Sequence, residues 1–337
     1  NPIWRKVTGN IVFPGFTAPK VEWVRRHEAD TFAKIDKALL PKDALRFWLT
    51  GEAVSEMSDA AGTSWLDTGA RDWSEELLAL SGLSRAQMPR LVEGSDVSGT
   101  LTGSIAVKLG LPAGIPVAGG GGDNAASAIG MGVVKPGQAF VSLGTSGVLF
   151  AATPSYAAAP ESALHSFCHA LPGLWHQMGV ILSATDALNW LAGMLNEDAE
   201  RLTGDLGQLK APSRTIFMPY LGGERTPHND AKIRAGFLHL GHATDRAAMV
   251  RAVLEGVTHA LRDSFDAMAL TGTKIDSLIA VGGGSKSDYW LKAIATSLDM
   301  PIQLPAAGDF GAALGAARLG RMAATGAGAE IAVPPPV

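Results

Sequence analysis

Residues 117–130 read VAGGGGDNAASAIG, and QAFVSLGTSGVLF follows at 138–150. Val117 and Ala118 close a buried strand, Gly119 to Gly122 strip the backbone of side chains, and Asp123 opens a helix of small residues ending at Gly130. A glycine run costs conformational entropy, so its presence implies close approach to the backbone. An Asp in the first turn of a helix sits at the positive end of the helix field, which favours its ionised form and leaves it ready to accept a proton. On its own the stretch also reads as a flexible turn with Asp123 as a simple cap. The second stretch decides between them. Residues 142–147, SLGTSG, lie between apolar runs at 139–141 and 148–151, a hairpin whose tip holds more polarity than a tight turn requires. Such a nest suits phosphate oxygens. A carboxylate on one loop and a phosphate cradle on the next are the parts that phosphoryl transfer to a hydroxyl needs. The pair points to a small-molecule kinase.

Composition sets the bounds. With 337 residues, 47% of them hydrophobic, the chain can bury cores for two domains. A net charge of −4 gives no electrostatic footprint for nucleic acid. The single cysteine, Cys168, excludes an internal disulfide and suits a reducing cytoplasm. The longest charge-free run, 136–160, is broken by Pro154 and by GTSG, so it is not read as a membrane span. No signal peptide is read, and the chain opens with Asn1-Pro2, mid-pattern, as a fragment would.

Taken in order, residues 10–26 run from a turn into an amphipathic helix bearing Val21 and Val24, and residues 39–51 form a second helix from Pro41 to Gly51. Residues 58–67 read as a packed loop, 73–80 as a short helix, and 94–114 as a connection leading to a strand at Ile115. His165, Cys168 and His169 tempt a zinc reading, but no second Cys/His pair follows at finger spacing and Pro172 interrupts. Residues 175–182 read as a buried strand and 184–195 as a helix. The long segment 214–230, with Tyr220, Glu224, Arg225 and His228, reads as a structured loop near the active cleft. Residues 244–271 give the strongest helix, capped by Thr244, with Val250, Val253, Leu254, Val257 and Leu261 on one stripe; Arg251 and Glu255 are spaced to pair across it. A strand at 277–281 then enters Gly282-Gly283-Gly284-Ser285 and a helix over 287–298, repeating the organisation at Val117. Residues 301–304 read as a further strand, 308–322 as an Ala/Gly-rich helix able to pack closely, and 334–336 as a disordered tail.

Two familiar motifs fail. GGGSKS at Gly282 lacks the spacing of a Walker A loop. Gly120-x-Gly122-x-x-Ala125 passes a loose dinucleotide pattern, yet no Asp or Glu occurs from Ala125 through Pro160 to hold a ribose.

Together these residues resemble the FGGY family of carbohydrate kinases. Gly15-x-Thr17-x-x-Lys20-Val21-x-Trp23-Val24-x-Arg26-His27 is similar to the family's first signature, and residues 251–256, RAVLEG, to the core of its second. GGGGDNAA, SLGTSG, GERTPHN, VGGGSKS and GDFGAALGAA occur in family order, so the likeness runs from about Thr8 to Arg318. PKDALRFWLTGE, SDAAGTSWLD and HSFCHALPGLWH lean it toward the members that act on xylulose.

The resemblance implies an α/β, actin-like ATPase (ribonuclease H-like) fold of two domains around a nucleotide/sugar cleft. Residues 1–134 would be the later part of the sugar-side domain, 135–325 the nucleotide-side domain and 326–337 a Pro-rich tail. Asp123 would be the catalytic base and, with Asn124, would hold the substrate. Gly144 and Thr145 would contact the ATP phosphates, and Gly283, Gly284 and Ser285 would lie by the adenosine. Mg²⁺ would arrive with the nucleotide, leaving no protein-held metal. The implied reaction turns D-xylulose and ATP into D-xylulose 5-phosphate and ADP, with ribulose, a hexulose or glycerol as rival acceptors. The expected setting is cytoplasmic, free of membrane and nucleic acid, with a homodimer as a possible assembly. A family member opens with an Asp-x-Gly-Thr phosphate loop, and nothing before Gly15 matches it. The expectation is a first domain lacking its start and incompletely folded on that side, a terminal helix lost soon after Gly320, and a chain that alone is catalytically dead or nearly so. Leu240-Gly241, where the second signature has Gly-Leu, reads as a tolerated turn variant. The rival class is a sugar- or nucleotide-binding protein that keeps this fold without turnover.

Overall fold

The computed structural model describes residues 2–305 and 311–332. At its centre lies a six-stranded sheet of Gln138–Leu143 (β1), Gly147–Thr153 (β2), His165–Cys168 (β3), Trp175–Ile181 (β4), Ser277–Val281 (β5) and Ile302–Gln303 (β6). The spatial order is β6-β5-β1-β2-β4-β3. The hairpin β1–β2 is antiparallel, and β4 lies antiparallel to both β2 and β3. On the other side β5 joins β1 in parallel, and β6 joins β5 in parallel. An antiparallel meander extended by parallel strands after a helical crossover is the ribonuclease H-like order.

Seven helices matter to the site: Thr17–His27 (α1), Pro41–Thr50 (α2), Asp123–Met131 (α3), Thr185–Leu195 (α4), Arg246–Leu270 (α5), Asp288–Leu298 (α6) and Gly311–Thr325 (α7). Successive strand side chains point to opposite faces, and here both faces are covered. Ala139, Val141, Leu143 and Leu149 face Leu191, Val253, Val257 and Ile294 from α4, α5 and α6. Phe140, Phe150 and Met178 face Ala60, Trp65, Leu77 and Ala128, contributed by the first part of the chain and by α3. The sheet is thus the shared wall of two cores.

Several sequence readings need correction. Residues 58–67 are not a plain loop: Glu56 caps a short helix, Met57–Ala61, by accepting from Ser58 N and Asp59 N, and Leu66–Asp67 then pairs with Asp72–Trp73. Glu is outside the usual capping set, which hid this helix. The helix read over 73–80 begins only at Glu75, because Ser74 is its cap. The connection 94–114 contains a strand, Val97–Thr100, and a helix, Gly103–Leu109. Pro116–Ala118 pairs with that strand and is only half-buried, so it does not belong to the central sheet. Asp245, not Thr244, caps α5, accepting from Ala248 N at 2.7 Å; Thr244 instead accepts from Gly241 N. No ion pair forms between Arg251 and Glu255 among the described residues. The first turn read at 308–310 and the tail at 334–336 lie outside the described residues.

Candidate active site

The two glycine turns expected to meet a nucleotide lie side by side for a topological reason. β1 and β5 are parallel neighbours, with Ser142 opposite Val281. The segments leaving their C-terminal ends, Gly144-Thr145 and residues 282–285, therefore emerge together, in the kind of crevice where open α/β sheets bind ligands. Gly282 has φ +86°, and a Cβ there would stand 2.8 Å from the Leu143 carbonyl oxygen. A Cβ on Gly284 would crowd Leu143, Trp290 and Thr185 at 2.8, 2.9 and 3.2 Å. Only glycine lets the second turn press onto the first. Gly283, by contrast, has open space where a side chain would be. Ser285 Oγ donates to the Gly282 carbonyl at 2.7 Å and stiffens the turn.

The N-terminus of α4 completes this cluster. Thr185 N and Oγ1 donate to the Gly144 carbonyl at 2.9 and 2.8 Å, and Ala184 N and Asp186 N donate to the Thr145 carbonyl. With its carbonyls held inward, the turn leaves Thr145 and Ser146 exposed. Gly144, Thr145, Gly283, Gly284 and Ser285 are brought together.

Asp123 is the first residue of α3 and is exposed. Its Oδ1 accepts from Asn124 N at 2.7 Å and from Asn124 Nδ2 at 3.0 Å, while Oδ2 has no partner among the described residues. One oxygen is oriented and the other is open to a proton. α3 is seated against the sheet through Ala128 and Met131, which share a core with Phe140 of β1. No hydrogen bond or ion pair among the described residues joins Asp123 or Asn124 to the nucleotide-side cluster.

Beneath the Gly119–Gly122 turn lies a group of charges that sequence reasoning missed. Lys42 Nζ lies 2.8 Å from Asp43 Oδ1, 3.2 Å from Glu56 Oε1 and 3.4 Å from Asp59 Oδ2, and Arg46 Nη1 donates to Asp43 Oδ1 at 2.8 Å. Asp43, Arg46 and Glu56 are buried. Three carboxylates share two cations, and burial, reinforced by Glu56 and Asp43 against the pull of Lys42, pushes the Asp59 carboxyl up to about 6. The signal was charge of both signs at helical spacing in Lys42, Asp43 and Arg46, followed by Glu56 and Asp59.

The long loop containing Glu224 is structured, as expected. Ile216–Met218 pairs with Gly236–Leu238, and Glu224 bridges to Asp230. Glu224 Oε1 accepts from Leu182 N and Arg225 N at 2.8 and 2.7 Å, so the loop grips the end of β4, two residues before Ala184. Burial pushes Glu224 up to about 6. His165, His169 and Cys168 are all buried, and no group of three or more His, Cys, Asp or Glu among the described residues is arranged to hold a metal ion.

Comparison with known proteins places this arrangement. The model of the N-terminal domain of the FGGY family of carbohydrate kinases matches residues 1–130, and that of the C-terminal domain matches residues 139–324. The chain belongs to the FGGY family of carbohydrate kinases. Among its relatives, the xylulose kinase of Escherichia coli K12 is 49% identical over 327 residues, covering 96% of this chain and 67% of that protein. A crystal structure described as a xyloylose kinase from Brucella ovis superposes with a TM-score of 0.97 at 63% identity, over 99% of this chain and 70% of that one. The xylulose kinase structure from Rhodospirillum rubrum gives a TM-score of 0.91 at 28% identity, over 98% and 68%. The expected actin-like ATPase fold is thereby met. The chain spans about two thirds of the length of the relatives it matches. Among the described residues no helix is long and apolar enough to cross a membrane.

Proposed function

We propose that the protein transfers the γ-phosphoryl group of ATP to the 5-hydroxyl of D-xylulose, with Asp123 as general base. The observation that carries this reading is the pair of separately built sites: an exposed, half-committed carboxylate at a helix start, and two interlocked glycine turns at the ends of parallel strands. Asp123 Oδ2 takes the hydroxyl proton as the sugar oxygen bonds to the γ-phosphorus, and the bond to the bridging oxygen breaks to release ADP. Asn124 fixes the other oxygen of Asp123 and offers its side chain to the sugar. Gly144 and Thr145 receive the phosphates, and Gly283, Gly284 and Ser285 border the adenosine. In this reading residues 1–134 form the sugar side and 135–325 the nucleotide side.

Mg²⁺ would be carried to the site by the nucleotide's phosphates and water, as its coordination habit favours. Xylulose is preferred over other acceptors because the relatives named above are described as xylulose kinases. The test is an acceptor panel run on the enzyme containing this chain, measuring ADP release and sugar phosphate with D-xylulose, D-ribulose, D-fructulose and glycerol. D-xylulose should give the highest kcat/KM. A higher value for another acceptor would reassign the substrate, and ADP release with none would overturn the kinase reading.

A further inference from the structure

Residues 119–122 carry no side chains, so nothing within the turn fixes where Asp123 begins its helix. Contacts from outside do. At one end Arg46 Nη2 donates to the Gly119 carbonyl, while Gly119 N and Gly120 N donate to the Asp96 and Gly94 carbonyls at 2.9 Å. At the other, Gly122 N donates to Ser58 Oγ at 3.0 Å. Ser58 Oγ donates in turn to Glu56 Oε2 at 2.8 Å, and Lys42 links Glu56 Oε1 to Asp43 Oδ1, on which Arg46 Nη1 also rests. The circuit is closed. It runs Gly122, Ser58, Glu56, Lys42, Asp43, Arg46, Gly119, and its charged members other than Lys42 are buried.

The chemistry gives the circuit a direction. A hydroxyl has one proton, and Ser58 spends it on Glu56. Its lone pair is therefore aimed at Gly122, the residue that immediately precedes Asp123. Asp59 packs against the same residue, with its Oδ1 3.6 Å from where a Gly122 Cβ would stand. Arg46 is anchored independently by the Val54 carbonyl at 2.6 Å, so the Gly119 end is tied to a parallel strand pair as well as to Asp43.

We propose that this circuit is the device that holds Asp123 in register with the acceptor hydroxyl, with Ser58 and Arg46 as positioning residues for the transfer. The inference rests on the kinase reading above. A displacement of about 1 Å in a reacting group costs on the order of 10²-fold in rate, and a glycine turn released at one end gives that freedom. Nucleotide binding lies on the other cluster and should not feel it.

The experiment uses the enzyme containing this chain, with Ser58→Ala, which removes only the relay oxygen, and Ser58→Thr, which restores it. We expect kcat to fall about 10²-fold in Ser58→Ala while KM for ATP stays within about twofold, and Ser58→Thr to recover most of the loss. Hydrogen exchange read by mass spectrometry gives a measure independent of turnover. Peptides covering 119–126 should exchange at least about tenfold faster in Ser58→Ala, with the central sheet unchanged. Unaltered exchange at 119–126 overturns the proposal whether or not the enzyme turns over. So does a kcat within twofold of wild type, or a loss of sheet protection that accounts for the fall. A wild-type enzyme inactive on every acceptor would sink the kinase reading instead, and exchange alone would then decide the circuit.

Discussion

At the scale of single residues, Gly283 separates fold from function most cleanly. Its neighbours Gly282 and Gly284 are glycines because backbone or side-chain atoms fill the space a Cβ would need, whereas Gly283 faces open space. Gly283→Ala should leave the thermal midpoint unchanged and raise KM for ATP about tenfold, on the order of 1.4 kcal/mol. An unchanged KM would remove this turn from the nucleotide site. Asp123 and the two glycine turns were legible as candidates because a run of glycines directly after a strand stands out in the sequence. The circuit beneath Asp123 was not. Gly119 and Arg46 are 73 positions apart, and Gly122 and Ser58 are 64 apart, so only the tertiary fold reveals their contacts.

At the scale of elements, the stripe of α5 was readable since Val250, Val253, Leu254, Val257 and Leu261 recur at helical spacing, and all are buried. Val97–Thr100 was not, because the four-residue strand VSGT holds a glycine and shows no clear alternation of apolar and polar residues. The close packing expected of the Ala/Gly-rich helix is realised where α7 crosses α3. A Cβ on Gly315 would collide with the Ala126 carbonyl, and one on Gly130 with the Gly311 carbonyl. These small residues set how closely the helix bearing Asp123 is held from behind. Gly315→Ala should therefore destabilise by about 1–3 kcal/mol, read as a lower denaturant midpoint with an unchanged m-value. A midpoint equal to wild type would mean that α7 is not clamped against α3.

At the scale of the whole molecule, the wall between the two cores contains histidines with little access to water. His176 stacks on Phe150 at 4.3 Å, and His165 on Phe167 at 5.2 Å. Leu171 N donates to His169 Nδ1 at 3.2 Å, so Nε2 carries the proton and donates to the Val133 carbonyl at 3.1 Å. A second proton on that ring would break the Leu171 bond. Burial lowers His165 to about 3 and His169 to about 4, and sets His176 well below 6.5. Between pH 6.5 and those values the unfolded chain binds more protons, so stability falls as pH falls. Asp59 and Glu224, each raised to about 6, act in the opposite sense over a narrower window, since there the folded chain binds the extra proton. Glu93, Glu255 and Asp263, also raised by burial, add to that opposition by smaller amounts, and the larger shifts of the three histidines outweigh the five carboxylates. The thermal midpoint should drop from pH 6.5 to 4, and His169→Gln should flatten that slope. An equal slope in the variant would place the acid sensitivity elsewhere. The sheet order was legible only as far as the hairpin and the strand before GGGS; which strands become neighbours depended on the helices that cross between them.

The account turns on Asp123 as the base that readies the sugar for phosphoryl transfer. The most direct test is D-xylulose-dependent ADP release from ATP·Mg²⁺ by the enzyme containing this chain, compared with its Asp123→Asn variant. The substitution keeps the shape and the contact with Asn124 but cannot take a proton. The account predicts a kcat lower by about 10²–10⁴-fold with KM for ATP nearly unchanged. Turnover by Asp123→Asn at the wild-type rate would contradict it.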